Sequence, residues 1–157
     1  MTSREEAGTT SDATRAAADA PALALVRELV RAFQAFEAYA VPDIRRHGLG
    51  AAEFDVLATL GNTEGMTFKE LGRRTLIYKT TLTGVVDRLE TAGYVRRRPS
   101  DGDRRCTLAE LTPAGDRLFR DVFPAHVAHL AARLDGLGER GIAESIASLR
   151  AIRQRLE

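Results

Sequence analysis

Apolar side chains recur every three or four residues along most of this chain and alternate with polar ones between residues 94 and 111. The first spacing lines up one side of a helix, the second one face of a strand. Pro21, tolerated at a first helical position, opens a helix on which Val26, Leu29, Phe33, Phe36 and Ala40 form a stripe. Pro42 is expected to kink or interrupt that helix, and residues 45–50 turn the chain into a second one bearing Phe54, Leu57 and Leu60. Thr67 and Glu70 are spaced as a capping box, the hydroxyl taking an amide hydrogen while the glutamate reaches back, so a short helix begins at about Phe68. Another runs from Lys79 to Thr91. Leu82, Val85, Val86 and Leu89 make its apolar side, Thr80, Thr81, Thr83 and Arg88 lie off that side, and Gly93 ends it. Tyr94–Arg98 and Cys106–Leu111 read as two strands joined by the turn formers from Pro99 to Arg104. Thr112 and Pro113 start a helix that carries Leu118, Val122, Val127, Leu130 and Leu134, with a bend at Pro124. Gly136 to Gly138 break it, and a last helix from Glu139 to Leu156 aligns Ile142, Ile146, Leu149, Ile152 and Leu156.

Helix, turn, helix and then a basic hairpin is the order of a winged helix-turn-helix. The expected fold is therefore mainly α with a small β-hairpin wing, the winged domain lying between N- and C-terminal dimerisation helices. Residues 1–18 have no large apolar side chain after Met1 and are expected to form a flexible tail. Residues 19–50 then supply the N-terminal dimerisation helix and connection, 51–112 the winged domain, and 113–157 the C-terminal dimerisation helices. Stripes at both ends need burial that the small middle domain cannot give, and a two-fold homodimer is the simplest source of it. Such a dimer would carry two recognition helices about 34 Å apart, the spacing of successive major grooves on a pseudo-palindromic operator in double-stranded DNA.

The net charge of +1 over 157 residues looks neutral until it is located. Between Lys69 and Arg105 there are ten Lys or Arg against five acids, an excess of +5 that leaves −4 on the rest of the chain. A basic module on an acidic scaffold is the footprint of a nucleic-acid binder. Hydrophobic residues at 44% and charged residues at 29% are ordinary for a globular protein. No apolar run approaches the length of a membrane span, and the N-terminal residues lack the apolar core of a signal peptide, so no membrane partner and a cytoplasmic location are expected. No phosphate-binding glycine loop, no nucleophile with a paired base and no contrasting carboxylate pair is visible, which argues against an enzyme and against a cofactor.

The motifs TFKEL (67–71), TTLTGVVDRLE (80–90), AGYVRR (92–97), DGDRR (101–105) and LTPAG (111–115), in this order and spacing, resemble the MarR family of bacterial transcriptional regulators over roughly residues 21–157. The resemblance implies a homodimer with interleaved terminal helices, a winged domain on each subunit, and repression relieved by a small ligand. By position it implies that Lys79, Thr80, Thr81 and Thr83 lie nearest bases and phosphates, and that Arg104 at the wing tip, oriented by Asp103, enters the adjacent minor groove. Arg88 is counted with this DNA-binding set. Leu76, Gly72 and Tyr78 depart from the family pattern; Tyr78 could give its hydroxyl to a phosphate, and Gly72 costs its helix about 1 kcal/mol against alanine. Arg105 is expected to pair with Asp87 or Asp103, and at most one or two of Arg96, Arg97 and Arg98 to touch phosphate, their alternative being a solvated strand face.

A regulator released by a small molecule needs a pocket whose occupancy changes the spacing of its recognition helices. Phe33, Phe36, Tyr39, Arg46, His47 and Phe54 are the candidates to line it, an aromatic wall with a cation nearby that would suit a phenol or an aromatic carboxylate; each serves equally well as core packing. His126 and His129 share a helix face and His47 lies at a junction, but zinc takes four ligands and no supporting cluster accompanies them, so no metal site is expected. Cys106 reads as a small half-buried hydrophobe rather than a redox switch. A metal- or redox-responsive regulator of the same fold stays open as an alternative, and a winged-helix module for protein contacts as another.

Overall fold

The computed structural model describes residues 14–77, 79–100 and 106–157, with the backbone only at Lys79. The chain divides into two compact units, Met1–Tyr39 and Ala40–Glu157. In the first, residues 14–18 are helical, contrary to the tail expected there; arginine and three alanines in this stretch favour a helix even without apolar burial. Residues 1–13 lie outside the described ones. Helix α1 (Pro21–Arg46) starts at its proline and leaves Leu25, Val26, Val30, Phe33 and Phe36 about half exposed. The interruption expected at Pro42 does not occur. A proline deprives only the carbonyl four residues back of its partner, and one further turn is all that α1 adds before Gly48, at φ 75°, releases the chain.

The second unit is built around one core. Helix α2 (Ala51–Leu60) gives it Val56, Leu57 and Leu60; α3 (Phe68–Arg74) gives Leu71; and α4 (Lys79–Thr91) gives Leu82, Val85, Val86 and Leu89, the four residues its spacing picked out. Gly93, at φ 78°, closes α4 with paired bonds at 2.9 Å, its own N–H to the Glu90 carbonyl and that of Tyr94 to the Leu89 carbonyl. Only a residue tolerant of left-handed backbone makes this stop at no cost. Strand β1 (Met66–Thr67) escaped the sequence reading, because two residues show no alternation. It pairs antiparallel with β3 (Thr107–Leu111), which pairs with β2 (Val95–Pro99), giving the order β1-β3-β2. The hairpin register sets Val95 opposite Leu111, Arg96 opposite Glu110 and Arg97 opposite Ala109.

Helix α5 (Pro113–Leu134) is capped by Thr112, whose hydroxyl accepts from the Gly115 amide at 3.1 Å, and it runs without a break through Pro124. A 3-10 turn, Asp135–Leu137, and Gly138 at φ 64° lead into α6 (Gly138–Leu156). Along α6, Ile146, Leu149 and Leu156 are exposed. No helix among the described residues is long and apolar enough to cross a membrane.

Candidate nucleic-acid interface

The reading head begins with the capping box. Thr67 Oγ1 accepts from the Glu70 amide at 3.2 Å while Glu70 Oε2 accepts from the Thr67 amide at 3.3 Å, which starts α3 where the sequence placed it. At the other end of α3, the backbone of Thr75 turns extended and ends the helix, its hydroxyl donating to the Leu71 carbonyl at 2.7 Å. The turn then presents Leu76, 92% exposed. Its amide donates to Asp55 Oδ2 on α2 at 2.6 Å. Among described non-glycine residues only Asn62 has positive φ, so leucine occupies this glycine-like position without backbone strain. Burial pushes the Asp55 carboxyl above its usual range, against the pull of the Leu76 amide.

With its apolar side in the core, α4 turns Thr80, Thr81 and Thr83 to solvent. Tyr78, the Lys79 side chain, Asp103, Arg104 and Arg105 lie outside the described residues. Arg88 is engaged within the chain: its Nε donates to Glu53 Oε1 at 2.9 Å and its Nη1 to the Gly84 carbonyl at 3.1 Å. The Gly50 amide and then Arg88 hold the Glu53 carboxyl below its ordinary range.

The three consecutive arginines of β2 are all engaged by carboxylates of the chain, although Arg96 stays exposed. Arg96 and Arg98 donate from Nε to the two oxygens of Glu110, at 2.6 and 2.5 Å. Burial, the largest influence on Glu110, pushes its carboxyl up, but the hydrogen bonds and charges of Arg98 and Arg96 together hold it below its usual value. Arg97 points the other way, donates to Asp87 Oδ1 at 2.5 Å and to Glu90, and lies 5.2 Å over the Phe68 ring. The Asp87 hydrogen bond raises its pKa further. Asp87 thus serves Arg97; Arg105, the partner expected for Asp87 or Asp103, lies outside the described residues. Alternation revealed strands here, but not which carboxylates would meet the arginines across them.

Of the residues expected to line an effector pocket, Phe33 and Phe36 are exposed and Tyr39 half-buried in the first unit, while Arg46 and His47 are exposed and Phe54 half-buried in the second. Phe54 meets the His126 ring edge-on at 4.7 Å and stacks with Phe123 at 6.3 Å. His126 is buried, and its Nδ1 lies 2.8 Å from Asp43 Oδ2, a contact that, with the charges of His129 and His47, holds the Asp43 carboxyl below its ordinary range. Nothing in the sequence linked positions 43 and 126. Among the described residues no group of three or more His, Cys, Asp or Glu is placed to hold a metal ion. Cys106 is exposed rather than half-buried, because it precedes β3 at the loop end of the hairpin, where its carbonyl accepts from the Ser100 amide at 2.8 Å. With Thr67, Phe68, Lys69, Thr83, Arg97 and Thr107 it borders an open groove of about 460 Å³.

Comparison with known proteins bears on this geometry. A MarR family model matches residues 47–105. The chain is 32% identical over 114 residues to the HTH-type transcriptional regulator MhqR of Bacillus subtilis, covering 73% of this chain and 79% of that protein. AbsC, a MarR family transcriptional regulator from Streptomyces coelicolor, superposes with a TM-score of 0.77 at 28% identity over 85% of this chain and 93% of its own. Bordetella bronchiseptica BpsR, whose DNA binding is regulated by 6-hydroxynicotinic acid, superposes with a TM-score of 0.73 at 27% identity over 81% and 91%.

Proposed function

The chain belongs to the MarR family of helix-turn-helix transcriptional regulators, which are not enzymes, and from that premise we propose that it is a dimeric repressor released from its operator by a small aromatic effector. The observation that carries this reading is α4, which buries Leu82, Val85, Val86 and Leu89 and turns Thr80, Thr81 and Thr83 outward. Threonines have poor helix propensity, so a cluster of them on an exposed helix face is explained by what they meet there. Hydroxyls and methyls of this size suit base edges and phosphates in a major groove. Lys79, Tyr78 and the wing pair Asp103 and Arg104 complete the proposed contact set. A repressor of chromosomal DNA acts in the cytoplasm.

A homodimer is supported by the half-exposed leucine, valines and phenylalanines of α1 and by Ile146, Leu149 and Leu156 of α6. Apolar area of this extent on single helices marks an association surface. The effector reading rests on the aromatic acid that regulates BpsR and on the aromatic and cationic side chains of Phe33, Phe36, Tyr39, Arg46, His47 and Phe54. We test it with a duplex selected from a random library by the purified chain. Binding should fall steeply with salt, as counterion release requires, and Thr81→Tyr should weaken the selected duplex more than a random one. A salt-independent signal would return the protein to the class of protein-contact modules. In a thermal melt, one of a panel of phenols and aromatic acids should raise the midpoint and release the duplex; a panel that does neither removes the aromatic effector.

A further inference from the structure

Three consecutive residues of α2 serve opposite sides of the second unit. Phe54 packs against His126 and Phe123 of α5. Its neighbours face the reading head: Glu53 Oε1 takes the Arg88 Nε hydrogen at 2.9 Å in the C-terminal half of α4, and Asp55 Oδ2 takes the Leu76 amide at 2.6 Å in the turn that leads into α4. Glu53 is itself fixed, because its second oxygen caps α2 by accepting from the Gly50 amide at 2.8 Å. Neither carboxylate suits a DNA contact, since negative charge is repelled by phosphate. Both bonds bridge α2 to the helix-turn-helix, Asp55 at sequence separation 21 and Glu53 at 35.

We propose that Glu53 and Asp55 are positioning residues for DNA recognition, two carboxylates that hold α4 from behind near its two ends and so set the angle at which its threonines are offered. This rests on the reading that α4 enters the groove. The core alone fixes α4 sideways through Leu82, Val85, Val86 and Leu89, but an apolar contact is non-directional and permits rotation and sliding that a hydrogen bond does not. Sequence readout tolerates little of either, because base-edge bonds fail with small displacement, whereas phosphate contacts are adaptable. Loss of the clamp is therefore felt by cognate DNA and scarcely by random DNA.

The measurement is the ratio of dissociation constants for a random duplex and for a duplex selected by the wild-type chain, at one salt concentration. Asp55→Ala removes the acceptor and should lower this ratio about tenfold, the size of one good base contact, nearly all through the selected duplex. Asp55→Asn keeps a carbonyl acceptor and should hold the ratio within about threefold. Should the alanine chain fail to fold, Asp55→Glu, which retains charge and displaces the acceptor, should lower the ratio while its circular dichroism stays that of the wild type. Equal losses on both duplexes, an unchanged ratio in the alanine and glutamate chains, or an asparagine chain as impaired as the alanine chain would each overturn the proposal. A wild-type chain with no preference among duplexes would instead sink the DNA-reading assignment on which it stands.

Discussion

Replacing Gly115 by alanine sets two effects against each other. In an exposed helix the exchange would stabilise by up to about 1 kcal/mol, through propensity. Gly115, however, is buried in the first turn of α5, where a Cβ would lie 1.9 Å from the Tyr94 carbonyl oxygen and 2.9 Å from its carbon, against 3.4–4 Å for ordinary contact. Backbone stands on both sides, so no side chain can swing away. The same Tyr94 oxygen accepts from the Thr112 amide at 3.0 Å, and the Thr112 hydroxyl donates to the Gly93 carbonyl at 2.6 Å while capping Gly115. Retreat of α5 from the start of β2 therefore strains all three bonds. Overpacking costs about 1–3 kcal/mol and a lost N-cap about 1 kcal/mol. These overlap as one displacement, and the propensity gain offsets part of them, leaving a net destabilisation of about 1–3 kcal/mol. For a chain of this size that lowers the melting midpoint by about 5 °C. The assay is a thermal melt with matched urea titration at fixed protein concentration, since association shifts the apparent stability. A Gly115→Ala chain that melts at or above the wild type would refute the reasoning.

Acid titration followed by circular dichroism tests the carboxylates: the folded pKa values of Glu110, Glu53 and Asp43 are lowered, so their stabilisation is complete above the ordinary range of 3.8–4.5 and is lost as pH falls through the folded values. Glu110→Gln should flatten this acid limb, and an unchanged limb would show that the Arg96 and Arg98 bonds carry no linkage. Asp55 has the opposite sign, its folded value being raised, so its ionisation costs stability as pH rises through that value; Asp55→Asn should be at least as stable as the wild type at neutral pH, and a marked loss would contradict this. Arg73→Ala on α3 should reduce the slope of log affinity against log salt by about 1 for each phosphate that is no longer neutralised, whereas Arg96→Ala should leave it unchanged; the reverse result would put the strand arginine on DNA.

Much of this fold could be read from spacing. Leu82, Val85, Val86 and Leu89 all point inward, and Thr67, Gly93 and Thr112 bound their helices as capping chemistry requires. Each of these signals is local, confined to a few residues. What escaped was long-range or too short to have a period: strand β1, and the pairs Asp55 with Leu76, Glu53 with Arg88, and Asp43 with His126. A polar pair across 83 positions leaves no trace in one sequence. The exposure of Cys106 escaped for a related reason, since one residue at a strand end lies beyond the reach of alternation.

The charge balance also changes meaning once the side chains are placed. The excess of +5 between Lys69 and Arg105 treated every arginine alike. Arg88, Arg96, Arg97 and Arg98 are tied to Glu53, Glu110, Asp87 and Glu90, and each ion pair joins two elements of the winged domain. The pairs of Arg88 with Glu53 and of Arg97 with Asp87, each with one side chain more than half exposed, contribute at most about 1 kcal/mol apiece. Their geometry matters more than that energy: Arg97 fastens β2 to α4, and Glu110 gathers two arginines on one face of the hairpin, so wing and recognition helix are held at a set distance by directional bonds. Among the described residues, Lys69, Arg73 and Arg74 take part in no such pair and remain available to a polyanion. The basic character of the motif thus divides between cations that hold the reading head together and cations left to meet the backbone of DNA, a division that a tally along the sequence does not reveal.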